Sequence, residues 1–373
     1  MLVWALKGYP VMPNKPLLKD MMKTHGVSRR AFMKYCASLA SVMALSPAMV
    51  PRIAEALENA PRPSVIWLSF QECTGCTEAI TRSHAPTIED MIFNAISLDY
   101  HHTLQAASGH AAEEAREHAM KEHWGNYLVV VDGSIPIKDP GYSTIAGISN
   151  LDMLKDTAAG AAAIVSVGTC AAYGGVGHAD PNPTGAVAVS EIIKDKPIIN
   201  VPGCPPIPVV MTGVLAHFLS LGIPELDELG RPKAFFGNAI HDRCYRRPFY
   251  DKGLFAEGFD DEGAKEGWCL YKLGCKGPTT KAACATVKWN NGVSFPIEAG
   301  HPCLGCTEPD FWDNGGFYKP LSVPSGDYRK MGAAALVGGA AAGVAGGLLA
   351  KATKAKAAKA HETVGAHDLE KSS

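Results

Sequence analysis

Four mainly apolar runs of strand length punctuate the first two thirds of the chain, at residues 65–70, 127–133, 163–169 and 197–203. Their hydrophobicity is continuous rather than alternating, which marks strands buried on both faces, as in parallel sheets. Residues 86–96, 106–124, 152–163 and 209–221 have the composition and spacing of helices. Strands alternating with helices predict an α/β fold, a doubly wound parallel sheet. Sheets of that type bind ligands outside the carboxyl ends of their strands. Three of the four runs lead straight into cysteine there: Cys73 and Cys76 after the first, Cys170 after the third and Cys204 after the fourth.

Past about residue 232 the pattern changes. Strand-like runs vanish, Gly and Pro increase, and Cys244, Cys269, Cys275, Cys284, Cys303 and Cys306 crowd together. A stretch with so little regular signal needs another source of stability, and metal coordination supplies one. The expectation is a second, small irregular or helical domain. Residues 331–350 then run without a charge, the span of a bilayer core, with Gly339, Gly343 and Gly347 four apart on one helix face. Lys351, Lys354, Lys356 and Lys359 follow, against Arg329 and Lys330 before, which sets the C-terminal tail in the cytoplasm.

Upstream of the first strand, Arg29-Arg30 with Phe32 and Lys34 precedes an apolar segment, and Ala54-Glu55-Ala56 fits a small-residue cleavage site. This reads as a twin-arginine leader, the address for export of folded cargo, with Met21 or Met22 as its start. The organisation expected is a leader over 1–56 that is removed, a sheet domain over 57–235, a cysteine-rich domain over 236–326, a membrane helix over 327–350 and a cytoplasmic tail over 351–373.

Composition narrows the partners. With 35 basic against 37 acidic residues and a net charge of -2, the chain has no basic footprint for nucleic acid. Of its 11 cysteines, Cys36 falls in the leader. The remainder have three possible uses: disulfides, zinc and iron-sulfur clusters. Disulfides are disfavoured because the domains are large enough to be stable without them and the export route carries folded cargo. Pairs such as Cys73/Cys76 and Cys303/Cys306 satisfy zinc spacing, so zinc stays open on spacing alone. Grouping favours iron. Cys73, Cys76, Cys170 and Cys204 make one set of four; His241, Cys244, Cys269 and Cys275 make another if the histidine is a ligand. Cys284, Cys303 and Cys306 remain as three, incomplete for zinc but sufficient for a three-iron cluster.

The order of motifs resembles the small, electron-transferring subunit of the nickel-iron hydrogenases over residues 63–312. The motifs are E-C-T-G-C-T-E at 72–78, G-T-C at 168–170, P-G-C-P-P at 202–206, H-D-R-C at 241–244, W-C-L-Y-K-L-G-C-K-G-P at 268–278 and G-H-P-C-L-G-C-T-E at 300–308. The leader and anchor resemble those of membrane-bound uptake members. The resemblance implies a flavodoxin-like first domain and a proximal 4Fe-4S cluster on Cys73, Cys76, Cys170 and Cys204. It implies a distal 4Fe-4S cluster on His241, Cys244, Cys269 and Cys275, and a medial 3Fe-4S cluster on Cys284, Cys303 and Cys306, with Pro296 or Pro302 near the missing iron corner. A large subunit would hold nickel and perform the chemistry, leaving this chain inert alone. Electrons from H2 would pass to a membrane partner such as a cytochrome b, from the periplasmic face of the cytoplasmic membrane. Oxygen-tolerant members carry extra cysteines at the positions of Gly75 and near Thr144, so their absence implies an air-sensitive enzyme.

Other features are read as structural. His110, Glu114, His118 and Glu122 form a solvated helix face, and residues 174–177 form a turn, lacking the order of a phosphate loop. Arg246 and Arg247 are either a guide for an electron acceptor or plain surface charges.

Overall fold

A computed structural model describes residues 28–42, 45–59, 62–313 and 316–321. The chain divides at Leu321 into two compact units, and the described residues all belong to the first. Residues 331–350, read as a membrane anchor, lie outside the described residues, as do residues 1–27. Among the described residues no helix is long and apolar enough to cross a membrane.

Two helices come first, α1 (Arg29–Val42) and α2 (Val50–Asn59), followed by strand β1 (Ser64–Ser69). The short helix α3 (Gly75–Ile80) leads to β2 (Ser97–His101), and α4 (His110–Glu122) to β3 (Tyr127–Asp132). Next come α5 (Asn150–Ala159), β4 (Ala161–Val167), α6 (Gly168–Tyr173), β5 (Ile198–Val201) and α7 (Pro208–Leu221). The strands form one sheet in the order β2-β1-β3-β4-β5, parallel throughout, with Val65 opposite Leu128, Leu128 opposite Ala163 and Val165 opposite Ile199. That order reverses direction between β1 and β3, the switch point at which doubly wound sheets open a crevice.

Alternate side chains of each strand feed two cores. Val65, Trp67, Leu128, Val130 and Val165 pack with α7 on one face, whereas Ile66, Leu68, Val129 and Val131 pack with α4 and α5 on the other. This double burial accounts for the unbroken apolar runs. One strand was not foreseen: β2, with sequence Ser-Leu-Asp-Tyr-His, lies at the sheet edge and is only half-buried over its first three residues, so it lacks the continuous signal. The helix expected over 86–96 is a single turn, Ile88–Asp90, that widens into a π-helical turn, Met91–Ala95.

Beyond Lys233 the chain is built from short turns, among them Ile240–Arg243, Arg247–Asp251, Tyr271–Leu273, Gly277–Thr279 and Ala283–Ala285. Cysteines replace much of the aliphatic core here: Cys244, Cys275 and Cys303 are buried with Ile240, Leu270, Phe295 and Ile297. At the other end, Phe32, Cys36 and Leu39 of α1 and Ile53 of α2 pack against Ala216 of α7. Ala54, in the expected cleavage triad, is buried within α2.

Candidate metal centres

Cys73 follows β1, Cys76 lies in the first turn of α3, Cys170 in the first turn of α6, and Cys204 just past β5. β4 and β5 are sheet neighbours and β3 alone separates β4 from β1, so the four thiols fall at the same end of the parallel sheet. The Cys76 thiol is pushed well up by burial, and then by Asp132, Cys170, Cys204 and Cys73, so it senses every other member of the set. Cys204 is pushed up to about 12, by burial first and then by Cys170, Cys306 and Cys73. Glycines make room for the sulfurs. A Cβ on Gly168, at φ +83°, would stand 2.5 Å from the Cys76 Sγ, and one on Gly175 would stand 2.5 Å from the Cys170 Sγ. Cys73 and Cys204 are exposed, so this set opens at the molecular surface.

In the second set, Cys244, Cys269 and Cys275 are buried. Cys269 is pushed up to about 11, by burial and then by Cys275 and Cys244. His241 opens the sequence of this set from the turn Ile240–Arg243, its ring edge-on to Tyr250 with centroids 4.5 Å apart. A Cβ at Gly277 would lie 3.3 Å from the Cys275 Sγ and 3.8 Å from the His241 backbone nitrogen, so the two ligand segments are close. Burial and then Arg247 lower the His241 pKa, which keeps the ring neutral, the form that ligates metals.

Cys284, Cys303 and Cys306 line one cavity of about 170 Å³, walled by Phe236, Trp289 and Phe295 and containing both Pro296 and Pro302. Cys284 is pushed up to about 12, by burial and then by Cys306, while Cys303 is pushed well up by burial, Cys275, Cys306 and Cys284. This third set touches the other two. The Cys204 amide faces the Cys306 thiol and the Cys303 amide faces the Cys275 thiol, each favouring the thiolate. The Lys276 N–H also donates to the Cys303 carbonyl at 2.8 Å.

The donor chemistry fits inorganic clusters. All eleven cysteines are free, and burial opposes ionisation of thiols in each set, Cys76, Cys269 and Cys284 among them, unless a cation supplies compensating charge. Among the described residues no three His, Cys, Asp or Glu side chains converge as a single metal ion requires.

Some residues around the sites carried no sequence signal. Arg231, 2% exposed, pairs with Asp227 at 2.8 Å and Glu308 at 3.0 Å, and donates to the Thr307 carbonyl at 3.3 Å, next to Cys306. Asp132 is fully buried below α3, where it accepts from the Thr77 hydroxyl at 3.1 Å; burial pushes its carboxyl up to about 6. Thr169 sits between Cys170 and the segments carrying Cys204 and Cys306; the G-T-C motif displayed it, but only the thiol drew attention. The Arg246 reading is corrected: it is 5% exposed and donates to the Trp268 carbonyl and the Tyr245 hydroxyl, both at 2.7 Å, so it is an internal brace. Arg247 pairs with Asp251 at 2.8 Å. His118 and Glu122 pair on an open helix face, as expected.

Comparison with known proteins agrees across the chain. Residues 236–319 match the family model for the C-terminal part of the NiFe/NiFeSe hydrogenase small subunit, and residues 73–218 match that for the 20 Kd subunit of NADH ubiquinone oxidoreductase. The chain is 49% identical to the uptake hydrogenase small subunit of Azotobacter vinelandii, over 87% of this chain and 93% of that one. It is 48% identical to the hydrogenase-1 small chain of Escherichia coli K12, over 84% and 85%. Among solved structures, it resembles a recombinant [NiFeSe] hydrogenase from Desulfovibrio vulgaris Hildenborough, with TM-score 0.65 and 39% identity, over 69% of this chain and 98% of that one.

Proposed function

The chain belongs to the family of nickel-iron hydrogenase small subunits, of the uptake type, and from that premise we propose that it relays electrons from H2 oxidation through three iron-sulfur clusters to a membrane acceptor. The reaction itself, H2 to two protons and two electrons, belongs to the nickel-iron site of a large subunit, with which this chain forms a heterodimer. Iron-sulfur clusters, when bound, supply reversible one-electron storage. In this reading Cys73, Cys76, Cys170 and Cys204 hold a proximal 4Fe-4S cluster, Cys284, Cys303 and Cys306 a medial 3Fe-4S cluster, and His241, Cys244, Cys269 and Cys275 a distal 4Fe-4S cluster.

The observation that carries the reading is the order of the sets. Cys306 of the three-thiol cavity meets the Cys204 amide, and the Cys303 amide meets Cys275, so the middle set is in touch with both neighbours. Exposure of Cys73 and Cys204 suits coverage by the large subunit at the entry end. An imidazole in place of a thiolate makes a cluster less negative, which suits His241 to the exit. Pro296 and Pro302 in the cavity wall offer no thiolate for a fourth iron.

The same reading divides the chain at about residue 235 and places it on the periplasmic face of the cytoplasmic membrane, exported through Arg29-Arg30 and anchored by residues 327–350, with a cytochrome b as acceptor. It makes the enzyme air-sensitive, because oxygen-tolerant members have cysteines at the position of Gly75 and in the loop near Thr144, and this chain has neither. A Cβ at Gly75 would lie 3.1 Å from the Cys73 Sγ, so a thiol there would sit against the proximal set.

Purification of the native complex with metal and sulfide analysis tests the proposal. About eleven irons and twelve sulfides are expected from the three clusters of this chain, besides the iron of the nickel-iron site; zinc in a colourless protein would overturn it.

A further inference from the structure

The hydroxyl of Thr169 bonds two segments that belong to different proposed ligand sets. It donates to the carbonyl oxygen of Cys306 and accepts the N–H of Gly203 at 3.0 Å, while the Thr169 N–H donates to the Gly203 carbonyl at 2.9 Å. The residue is 1% exposed and adjoins Cys170. One side chain therefore ties three ligand-bearing backbones together: its own at Cys170, that of Cys204 through Gly203, and that of Cys306. Gly203 lies at φ +148°, and a Cβ there would fall 2.5 Å from the Pro206 Cα, so the close approach at this position needs glycine. In this arrangement the Cys204 amide faces the Cys306 sulfur.

We infer that Thr169 is a positioning residue that registers the proximal ligand set on the medial one, holding the Cys204 amide as a hydrogen-bond donor to the Cys306 thiolate. This rests on the cluster reading above. A hydrogen bond to a ligand sulfur favours the more negative, reduced state, so the bridge raises the medial potential; it also keeps the two sets in contact. No bond is made or broken, and the chemistry at the large subunit is untouched.

The test uses the purified full heterodimer and an electron-paramagnetic redox titration of the three-iron signal. Thr169→Val keeps the shape and removes the hydroxyl; Thr169→Ser keeps the hydroxyl and removes the methyl. The valine variant is expected to titrate at a more negative potential, with electron passage across the first junction slowed roughly tenfold. Serine should titrate with the parent. Parental titration of the valine variant, equal shifts in both variants, or equal shifts at all three centres would each overturn the inference. If the valine variant assembles poorly, Thr169→Ala removes the hydroxyl without branching at the junction and is read by the same criteria. A parent lacking any three-iron signal would overturn the cluster reading, and the inference with it.

Discussion

Gly168 shows how the first proposed cluster site would depend on a residue with no side chain. Its φ of +83° costs a non-glycine residue ~1–2 kcal/mol, and a Cβ there would fall 2.5 Å from the Cys76 Sγ. Backbone strain alone is survivable, but displacement of a ligand sulfur is not. Gly168→Ala should therefore lose the iron of the first set and keep that of the other two, as metal counting with spectroscopy of each centre would show. The cysteines themselves were readable from their motifs because thiols are scarce and their chemistry is specific. The reason for the adjoining glycine was not readable, since it depends on a sulfur 92 residues earlier in the chain.

At the level of elements, the loop after α7 is tied to the segment that carries Cys306. Arg231 joins Asp227 in the loop to Glu308 beyond the cysteine, and Glu308 also accepts the Lys281 N–H at 2.7 Å. A guanidinium buried this deeply with two carboxylates is costly to break: Arg231→Met should destabilise the protein by about 3 kcal/mol, read by denaturant unfolding of the assembled complex. The pH dependence follows from Asp227. Burial opposes its ionisation, yet the Arg231 and Leu229 amides and the Arg231 guanidinium prevail and hold its pKa below the ordinary value. The unfolded chain then takes up this proton first as the pH falls. The stabilisation is complete above the ordinary carboxylate range and is lost below about pH 4. In Arg231→Met, the fall in stability between about pH 5 and 3 should be shallower than in the parent. Glu308 appears in a motif, but its partner lies 77 positions upstream in a loop without periodic pattern, so no sequence rule pairs them.

For the whole molecule, location and relay should be separable. A chain ended after residue 326, coexpressed with its large subunit, is expected in the soluble fraction with its iron retained; persistence in the membrane would count against an anchor over residues 327–350. If the proposed leader is cut at Ala56, the cut falls within α2, a helix packed with α1 against α7. The sequence alone determined the α/β class, the strands β1, β3, β4 and β5 and the cysteine inventory, because burial of apolar runs and thiol spacing are written in local patterns. Tertiary structure decided which thiols face one another, which amides approach which sulfurs, and that Thr169, Gly168 and Arg231 belong with them. Those relations join residues from separate strands and loops, and only folding sets the distances between them.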